Sequence, residues 1–296
     1  MMRGQRNLAT VVRRPNGTLA IQVKPLSPIY TGRFRRLPLT RGVIALLEAL
    51  ILGAQSLMYS TGVALEDEEA QEVPQNTKGS KGMDAAIWIT MLISMALAVG
   101  LFFLSPLFIT RWILSNDASS LLFHFTEGAV RLVIFLVYLS LVGLLPDIRR
   151  VFAYHGAEHK TIHAYEAGGP LQPGYVQTFT TAHARCGTAF LLAVMIMAIL
   201  VFSLIGKPTL WLMIASRVLL VPVIASFAYE ITQFGARHLG NPIVRAVMAP
   251  GLWLQGLTTK QPDDKMVEVG IAALEEVLIA DGVLKRAEPS PANLQS

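Results

Sequence analysis

Three residues near the middle of the chain have the spacing of a metal-binding motif. His155, Glu158 and His159 stand at positions i, i+3 and i+4, so they fall on one stripe of a helix. Two imidazoles four residues apart can bind the same divalent cation. The order His-x-x-Glu-His is also that of a reversed zinc-hydrolase motif, whose glutamate is the general base. The spacing therefore predicts His155 and His159 as ligands of a divalent metal, zinc first, and Glu158 as the catalytic base.

A third ligand must come from another element, and the sequence leaves two sources open. Glu230 ends an apolar stretch that contains few ionisable residues, whereas His183 and Cys186 close the loop that follows the motif. Glu166 is too far along the same helix to share a metal with His155, because each residue rises by about 1.5 Å. The following residues are assigned second-site or supporting roles: His163, Glu166, Lys160, Arg185 and Arg217.

The same residues also fit a role without metal. Histidines and glutamates on a helix at a membrane surface can face water or pair with Arg149, Arg150 and Lys160. The metal interpretation is favoured because four of the six histidines lie between positions 155 and 183, and the only cysteine follows at position 186. Three hypotheses stay open: a hydrolase, a metal-binding transporter or channel in which Arg217 and Glu230 line a polar path, and a scaffold.

Composition indicates which elements hold this motif. The chain has 296 residues, of which 53% are hydrophobic and only 15% charged, against about a quarter charged in soluble domains. Its mean hydropathy is +0.49. The sequence therefore predicts a mainly α, polytopic membrane protein. A single cysteine excludes an intrachain disulfide, and the basic N-terminal segment lacks any nucleic-acid-binding motif.

Four stretches are apolar enough to cross about 30 Å of hydrocarbon. They run over residues 85–109, 129–145, 187–205 and 210–229. Arg149, Arg150 and Lys160 lie between the second and third stretch, which predicts a cytoplasmic loop there and cytoplasmic N- and C-termini. Residues 42–64 contain Glu48 and would break this topology by crossing, so we expect an interfacial or re-entrant helix. His124 and Glu127 are expected in an outer loop.

The remaining segments are predicted to be small. Asn16-Gly17 between two β-rich runs predicts an N-terminal hairpin, and Pro262-Asp263-Asp264 begins a cytoplasmic helix over residues 263–280, followed by a disordered tail. The chain thus divides as follows: a basic hairpin segment 1–41, an interfacial helix 42–64, an acidic flexible linker 65–84, the first two membrane helices 85–147, the His/Glu helix and loop 148–186, the next two membrane helices 187–229, and a C-terminal region 230–296.

Several short motifs resemble those of the YqhQ-like family of bacterial integral membrane proteins. They are Met1-Met-Arg-Gly4, Tyr154-His-Gly-Ala-Glu-His-Lys-Thr161, Arg185-Cys-Gly-Thr188, Ala249-Pro-Gly-Leu-Trp-Leu-Gln255 and Gln261-Pro-Asp-Asp264. The resemblance covers nearly the whole chain. It implies a protein of the bacterial cytoplasmic membrane and a metal-dependent enzyme, without naming a substrate. Members carry a glycine-rich stretch with an acidic residue before Met-Met-Arg-Gly, so we expect a late start codon or a shortened N-terminus here.

Two further expectations follow from a site at the membrane surface. Residues 1–4 are expected to belong to a loop that approaches the histidines. The expected partner is a membrane lipid or a membrane-embedded substrate and not a nucleic acid, and a homo-oligomer stays open.

Overall fold

Helices dominate the computed structural model, which describes residues 1–35, 37–69, 89, 93–94, 96–98, 100–115, 117–184, 186–205 and 210–285. The strands β1 to β3 are Met2–Arg3, Asn7–Arg13 and Leu19–Pro25. The helices α1 to α10 are Pro28–Thr31, Thr40–Glu69, Ser105–Ile113, Ser120–Val142, Pro146–Glu166, Pro173–Val176, Gly187–Ile205, Leu210–Arg237, Pro242–Thr258 and Asp264–Ala280. A 3-10 turn at Arg33–Arg35 and a π-helical turn at Gly100–Leu104 also occur. The predicted fold class is confirmed.

The N-terminal hairpin forms as predicted and gains a third strand. β2 pairs antiparallel with β3, and Val11 lies opposite Ile21. Gly17 takes a φ of 89° in the turn, a value that glycine adopts without strain. β1 pairs with the other edge of β2, with Met2 opposite Ala9. A two-residue strand gives too little alternation to be detected in the sequence.

Both faces of the sheet are covered by helices. Ala9 and Val11 pack with Leu274 and Val277 of α10. On the opposite face Leu8 packs with Leu52 of α2. Alternate side chains of a strand point to opposite faces, so β2 is sandwiched between α10 and α2.

Within the part of the chain that the structure describes, five helices are long and apolar enough to cross a membrane. They are Thr40–Ala64, Ala96–Ile113, Ser120–Val142, Gly187–Ile205 and Leu219–Arg237. Between 11% and 33% of each apolar window is buried within the chain, so most of this apolar surface requires a lipid environment. The chain is therefore a membrane protein. The first half of the predicted span over residues 85–109 lies mostly outside the described residues, and its second half belongs to the candidate span Ala96–Ile113.

The first of these helices, α2, was expected at the interface. Its middle packs on the sheet, because Leu52 contacts Leu8 and Ser56 lies 3.0 Å from the hydroxyl of Thr10. Its buried Glu48 is paired with Arg3 and Arg35, at 2.7 and 3.2 Å. Transferring this polar, sheet-covered face of α2 into hydrocarbon would cost free energy. The helix runs unbroken from Thr40 to Glu69 and is long and apolar enough to cross a membrane, so a re-entrant course does not fit it and the interfacial position stays a prediction.

The last five residues of α2 begin the segment that was predicted as a flexible acidic linker. Residues 65–69 continue the helix, whereas 70–84 lie outside the described residues, as does the predicted tail at 286–296. The C-terminal helix is found at Asp264–Ala280, one residue from its predicted start. Its Asp263 accepts a hydrogen bond from the N–H of Met266 at 2.8 Å and caps it.

Two parts of the helical layer differ from the predictions. The last span continues to Arg237 rather than ending at Tyr229. Residues 242–258 form a further helix, α9, which packs against α7. The sequence did not reveal it because Pro250 interrupts its pattern, and proline in a helix interior usually marks a boundary.

The outer loop predicted for His124 and Glu127 is wrong. Both residues lie within α4 and are buried, with 7% and 4% of their surface exposed. Glu127 is paired with Arg131 one turn later and lies 3.5 Å from His124. α4 therefore contains a polar cluster. The helix begins at Ser120, nine residues before the span that was predicted from hydropathy.

Candidate functional site

The histidine helix lies beside the sheet, outside the candidate membrane spans. α5 begins at Pro146, whose fixed φ suits the first helical turn. It ends at Glu166, where Gly168 takes a positive φ of 69° after the C-cap. α10 packs along α5, and a Cβ on Gly270 would lie 2.9 Å from the Thr161 hydroxyl. This close contact turns the histidine stripe of α5 toward the loop before α7.

Three side chains converge where this loop ends. One ligand atom each of His155, His159 and Cys186 lies within 4.8 Å of the other two. The Nε2 atom of His155 is 3.5 Å from the Cys186 sulfur, and the two imidazole centroids are 4.4 Å apart. We call these three residues the inner group. The two histidines that are four residues apart on α5 therefore meet the cysteine that directly precedes α7.

Backbone carbonyls fix the orientation of both imidazoles. Nδ1 of His155 lies 3.0 Å from the carbonyl oxygen of Thr258, and Nδ1 of His159 lies 2.6 Å from that of Thr181. Because a carbonyl can only accept, each Nδ1 carries the proton and donates it. Each Nε2 then presents a lone pair when the ring is neutral. Metal-binding histidines in proteins are oriented by this kind of hydrogen bond.

Gly156, which lies between His155 and Glu158, has no room for a side chain. Any Cβ at this position would collide with the carbonyl oxygen of Lys260. The chain crosses α5 here, and the N–H of Lys260 donates to the carbonyl of Phe152 at 2.9 Å. This crossing also brings the Thr258 carbonyl to His155. A glycine at position 156 is therefore required for the hydrogen bond between His155 and the Thr258 carbonyl.

Charge in the inner group is shared between sulfur and imidazole. Burial acts to raise the pKa of Cys186, but hydrogen bonds and charge from His155 and His159 outweigh it and lower the pKa to about 5. Burial acts to lower the pKa of His155, but the hydrogen bond and charge of Cys186 raise it to about 9, helped by Glu158. The metal-free group is thus a thiolate beside an imidazolium. A thiolate is the form that binds metal.

Glu158 lies next to the inner group and remains accessible. Its side chain is 28% exposed and contacts the α-amino group of Met1. β1 brings Met1 to this position, which agrees with the expectation that residues 1–4 approach the histidines. Glu158 is thus a partly exposed carboxylate that directly precedes His159 in the chain.

A second set of donors lies at the end of α5. Ligand atoms of His163, Glu166 and His183 also lie within 4.8 Å of one another. We call them the outer group. Its Glu166 is 38% exposed, whereas His183 is buried. Burial and the neighbouring histidines lower the pKa of His183, and the contact with Glu166 opposes this only in part.

The structure separates the other predicted residues from these groups. Glu230 is paired with Arg41 and accepts a hydrogen bond from the N–H of Leu39, and it joins neither group among the described residues. Lys160 is buried and donates to the Gln177 carbonyl at 2.9 Å, which holds α6 against α5; burial lowers its pKa. Arg185 and the side chain of Arg217 lie outside the described part of the chain.

Gln255 is a supporting residue that the sequence did not identify. It is fully buried and makes two hydrogen bonds with the backbone of His183. Its side-chain oxygen accepts from the His183 N–H at 2.7 Å, and its amide donates to the His183 carbonyl at 2.9 Å. The only available signal was a glutamine within the apolar helix α9.

Comparison with known proteins places the chain in a family. Residues 37–280 match the family model described as "Protein of unknown function (DUF1385)". The chain is also 32% identical over 286 residues to "Uncharacterized protein YqhQ" of Bacillus subtilis (strain 168), covering 94% of this chain and 89% of that protein. No solved structure matches. The resemblance seen in the sequence motifs is thus confirmed, and the chain belongs to the YqhQ-like DUF1385 family.

Proposed function

We propose that this protein is a membrane-bound, divalent-metal-dependent hydrolase whose metal is held by the inner group. One observation carries the proposal. Donor atoms of His155, His159 and Cys186 converge within 4.8 Å, although Cys186 lies 31 residues from His155. Carbonyl oxygens already satisfy the remaining nitrogen of each imidazole, so both rings are oriented as ligands before any metal binds.

The donor set fits zinc. Two imidazole nitrogens and one thiolate are borderline and soft ligands, which zinc prefers over magnesium or calcium. Structural zinc sites normally have four protein ligands, whereas catalytic sites have three and an open position. Among the described residues the inner group offers three. The number of donors therefore supports a catalytic site over a structural one.

Glu158 supplies the acid–base function in this proposal. A bound zinc ion lowers the pKa of its water to about 7. Glu158 would accept a proton from the attacking water and return it to the leaving group, so water is the only co-substrate. Glu158 follows His155 by three residues and contributes to the charge at that ring. Its carboxylate is 28% exposed beside the α-amino group of Met1, so water can reach it.

The position of the site supports a lipid-linked or membrane-embedded substrate. α5 begins four residues after the candidate span Ser120–Val142. Cys186 directly precedes the candidate span Gly187–Ile205. The basic residues around the loop lead us to assign this face to the cytoplasm of a bacterial inner membrane. The N-terminal sheet and α10 pack on α5 and share its side.

Metal analysis of the purified full-length chain in detergent tests the proposal. Wild type is expected to retain zinc, His155→Ala to lose the ion of the inner group, and Glu158→Gln to keep it. Hydrolysis of phosphatidylglycerol and phosphatidylethanolamine vesicles, followed by mass spectrometry of the products, should stop in both variants. His238→Ala is the matched control, because His238 is exposed and contacts only its own turn among the described residues. Equal metal in all four proteins would refute the assignment.

A metal-binding transporter or scaffold without catalysis is the second candidate. The low exposure of His159 and Cys186, 5% and 6%, favours it, because a substrate must reach the metal of a hydrolase. The pair of buried Glu127 and partly exposed Arg131 in α4 adds a polar element within a candidate span. Under this alternative Glu158→Gln leaves metal content and every lipid unchanged, and wild type also releases no product.

A further inference from the structure

The outer group has the composition and geometry of a second metal site. Its donors are two imidazoles and one carboxylate, all within 4.8 Å of one another. We propose that His163, Glu166 and His183 bind a second divalent transition-metal ion, beside the inner group and without sharing a ligand with it. This goes beyond the proposed function, which requires one ion. It stands independently of whether the inner group is catalytic.

The ring of His163 is oriented for this role. Its Nε2 lies 2.9 Å from the carbonyl oxygen of Ala182 and must donate to it. The lone pair of Nδ1 is therefore directed away from that carbonyl when the ring is neutral. The stacked ring of Phe179, with its centroid 6.2 Å away, limits rotation of the imidazole further. His163 is thus held in the same way as the two histidines of the inner group, with the roles of its nitrogens exchanged.

His183 is held through its backbone rather than its ring. Gln255 fixes both the N–H and the carbonyl of this residue from within α9. The ring Nε2 lies 3.4 Å from a Glu166 oxygen, and the ring centroid is 4.7 Å from that of His163. A fully buried glutamine devoted to one loop residue is costly unless both its bonds are made. The structure therefore restrains His183 more than an ordinary loop residue.

One short segment organises both groups. The Thr181 carbonyl orients His159, the Ala182 carbonyl orients His163, and the next residue is itself a donor of the outer group. The rings of His159 and His183 have centroids 5.8 Å apart. A displacement of residues 181–183 would thus alter both groups together. Neighbouring ions at such a distance would also repel each other, so occupancy of one site should weaken the other.

Different ligands predict different metal preferences. The outer group lacks sulfur, and imidazole with carboxylate suits zinc, manganese or ferrous iron. Its Glu166 is 38% exposed, whereas Cys186 is 6% exposed. Water can therefore compete for the outer ion more readily. We expect the outer site to bind more weakly and to exchange its metal faster than the inner one.

A cobalt titration of the full-length protein in detergent separates the two sites. Co²⁺ bound to a thiolate gives a sulfur-to-metal charge-transfer band, which only Cys186 can produce because it is the sole cysteine. Wild type is expected to develop this band with the first equivalent and only weaker d–d bands with the second. His163→Ala should keep the charge-transfer band and lose the second equivalent, which also shows that the variant is folded. Cys186→Ser should lose the band and retain the outer equivalent.

Glu166→Gln and Glu268→Gln complete the comparison. Glu268 is half exposed on α10 and pairs with Arg13, far from both groups in the chain, so its variant should titrate like wild type. Glu166→Gln should weaken the second equivalent at least tenfold. A wild type that saturates at one equivalent with the band would overturn the second site and leave the inner one. If cobalt binds but no charge-transfer band develops at either equivalent, the inner site is refuted and the outer one is supported.

Discussion

The two donor groups of α5 differ in burial, and the difference follows from what crosses the helix at each point. At the inner group, residues 258–260 cross directly over Gly156, and α7 begins at Gly187, directly after Cys186. At the outer group the helix is ending, and Glu166 faces solvent. The buried position contains the thiolate and the exposed one the carboxylate. Packing around a single helix thus creates two chemically different sites from one repeated histidine spacing.

The sharpest way to break this comparison is to replace the sulfur. Cys186→Ser removes the thiolate ligand and should reduce zinc affinity of the inner group by more than about 100-fold, the upper range for mere supporting residues. Competition with a fluorescent zinc chelator measures it. Thr188→Ala is the control, since Thr188 only contacts the sulfur at 3.1 Å. Equal loss in both variants would contradict a ligand role for Cys186.

A second prediction concerns the crossing over Gly156. Gly156→Ala forces the Lys260 carbonyl away and should cost about 1–3 kcal/mol of stability, as overpacking does. It should also move the Thr258 carbonyl from His155 and weaken zinc binding about 10- to 100-fold. Thermal unfolding and zinc competition measure the two effects.

Gly62→Ala serves as the matched control for that variant. No atom lies within 4 Å of a Cβ added to this helical glycine. Alanine there should stabilise α2 by about 0.5–1 kcal/mol. If Gly156→Ala is equally harmless, the crossing does not position the site.

The third prediction sharpens the outer group alone. Gln255→Met keeps the volume but leaves the N–H of His183 without its buried partner, at a cost of about 1–3 kcal/mol, whereas the His183 carbonyl keeps the N–H of Cys186 at 3.2 Å. The second cobalt equivalent should bind about tenfold more weakly, whereas the thiolate band of the first remains. Gln172→Met, on an exposed residue, is the control. If Gln255→Met instead loses the first cobalt equivalent and keeps the second, Gln255 supports the inner group and not the outer one.

A further prediction concerns the pH dependence of zinc binding by the inner group. Between pH 5 and 9 the metal-free pair of Cys186 and His155 holds one proton, which must leave before both can bind metal. Zinc affinity should therefore rise about tenfold per pH unit in this range, with about one proton released per ion. Calorimetry in buffers of different ionisation enthalpy measures this number. No release at pH 7 would show that the metal-free pair is not protonated.

The same pair affects the stability of the metal-free protein. The lowered pKa of Cys186 contributes stability that is lost as pH falls through about 5. The raised pKa of His155 contributes stability that is lost as pH rises through about 9. Taken together, the folded and unfolded pair bind different numbers of protons only between about pH 5 and 6.5, so the stability of the metal-free chain should fall as the pH decreases through this range and stay level above it.

The sequence predicted the parts of the site that lie on one helix. The spacing of His155 and His159 identified their stripe, because helical periodicity is local. It left the third donor open between Glu230 and the pair His183 and Cys186, since a loop that folds back has no periodic signal. The structure brings Cys186 to the inner group and His183 to the outer one, while Glu230 pairs with Arg41.

The fold was predictable to a similar extent. Hydropathy identified the long apolar helices, and Asn16-Gly17 identified the hairpin. The strand β1, the helix α9 and the burial of Glu127 could not be read, because they depend on pairing and packing between distant segments. The interfacial position expected for residues 42–64 rested on a single charge argument. It stays a prediction, because the same helix is long and apolar enough to cross a membrane, while the pairing of Glu48 with Arg3 and Arg35 depends on segments remote in sequence.

Zinc-edge X-ray absorption of the full-length protein loaded with one equivalent of zinc tests the central claim most directly. The inner group predicts a first shell with one sulfur at about 2.3 Å and two imidazole nitrogens at about 2.0–2.1 Å. The sulfur contribution should vanish in Cys186→Ser. A wild-type spectrum of nitrogen and oxygen ligands alone, or a protein that binds no zinc, would contradict the account.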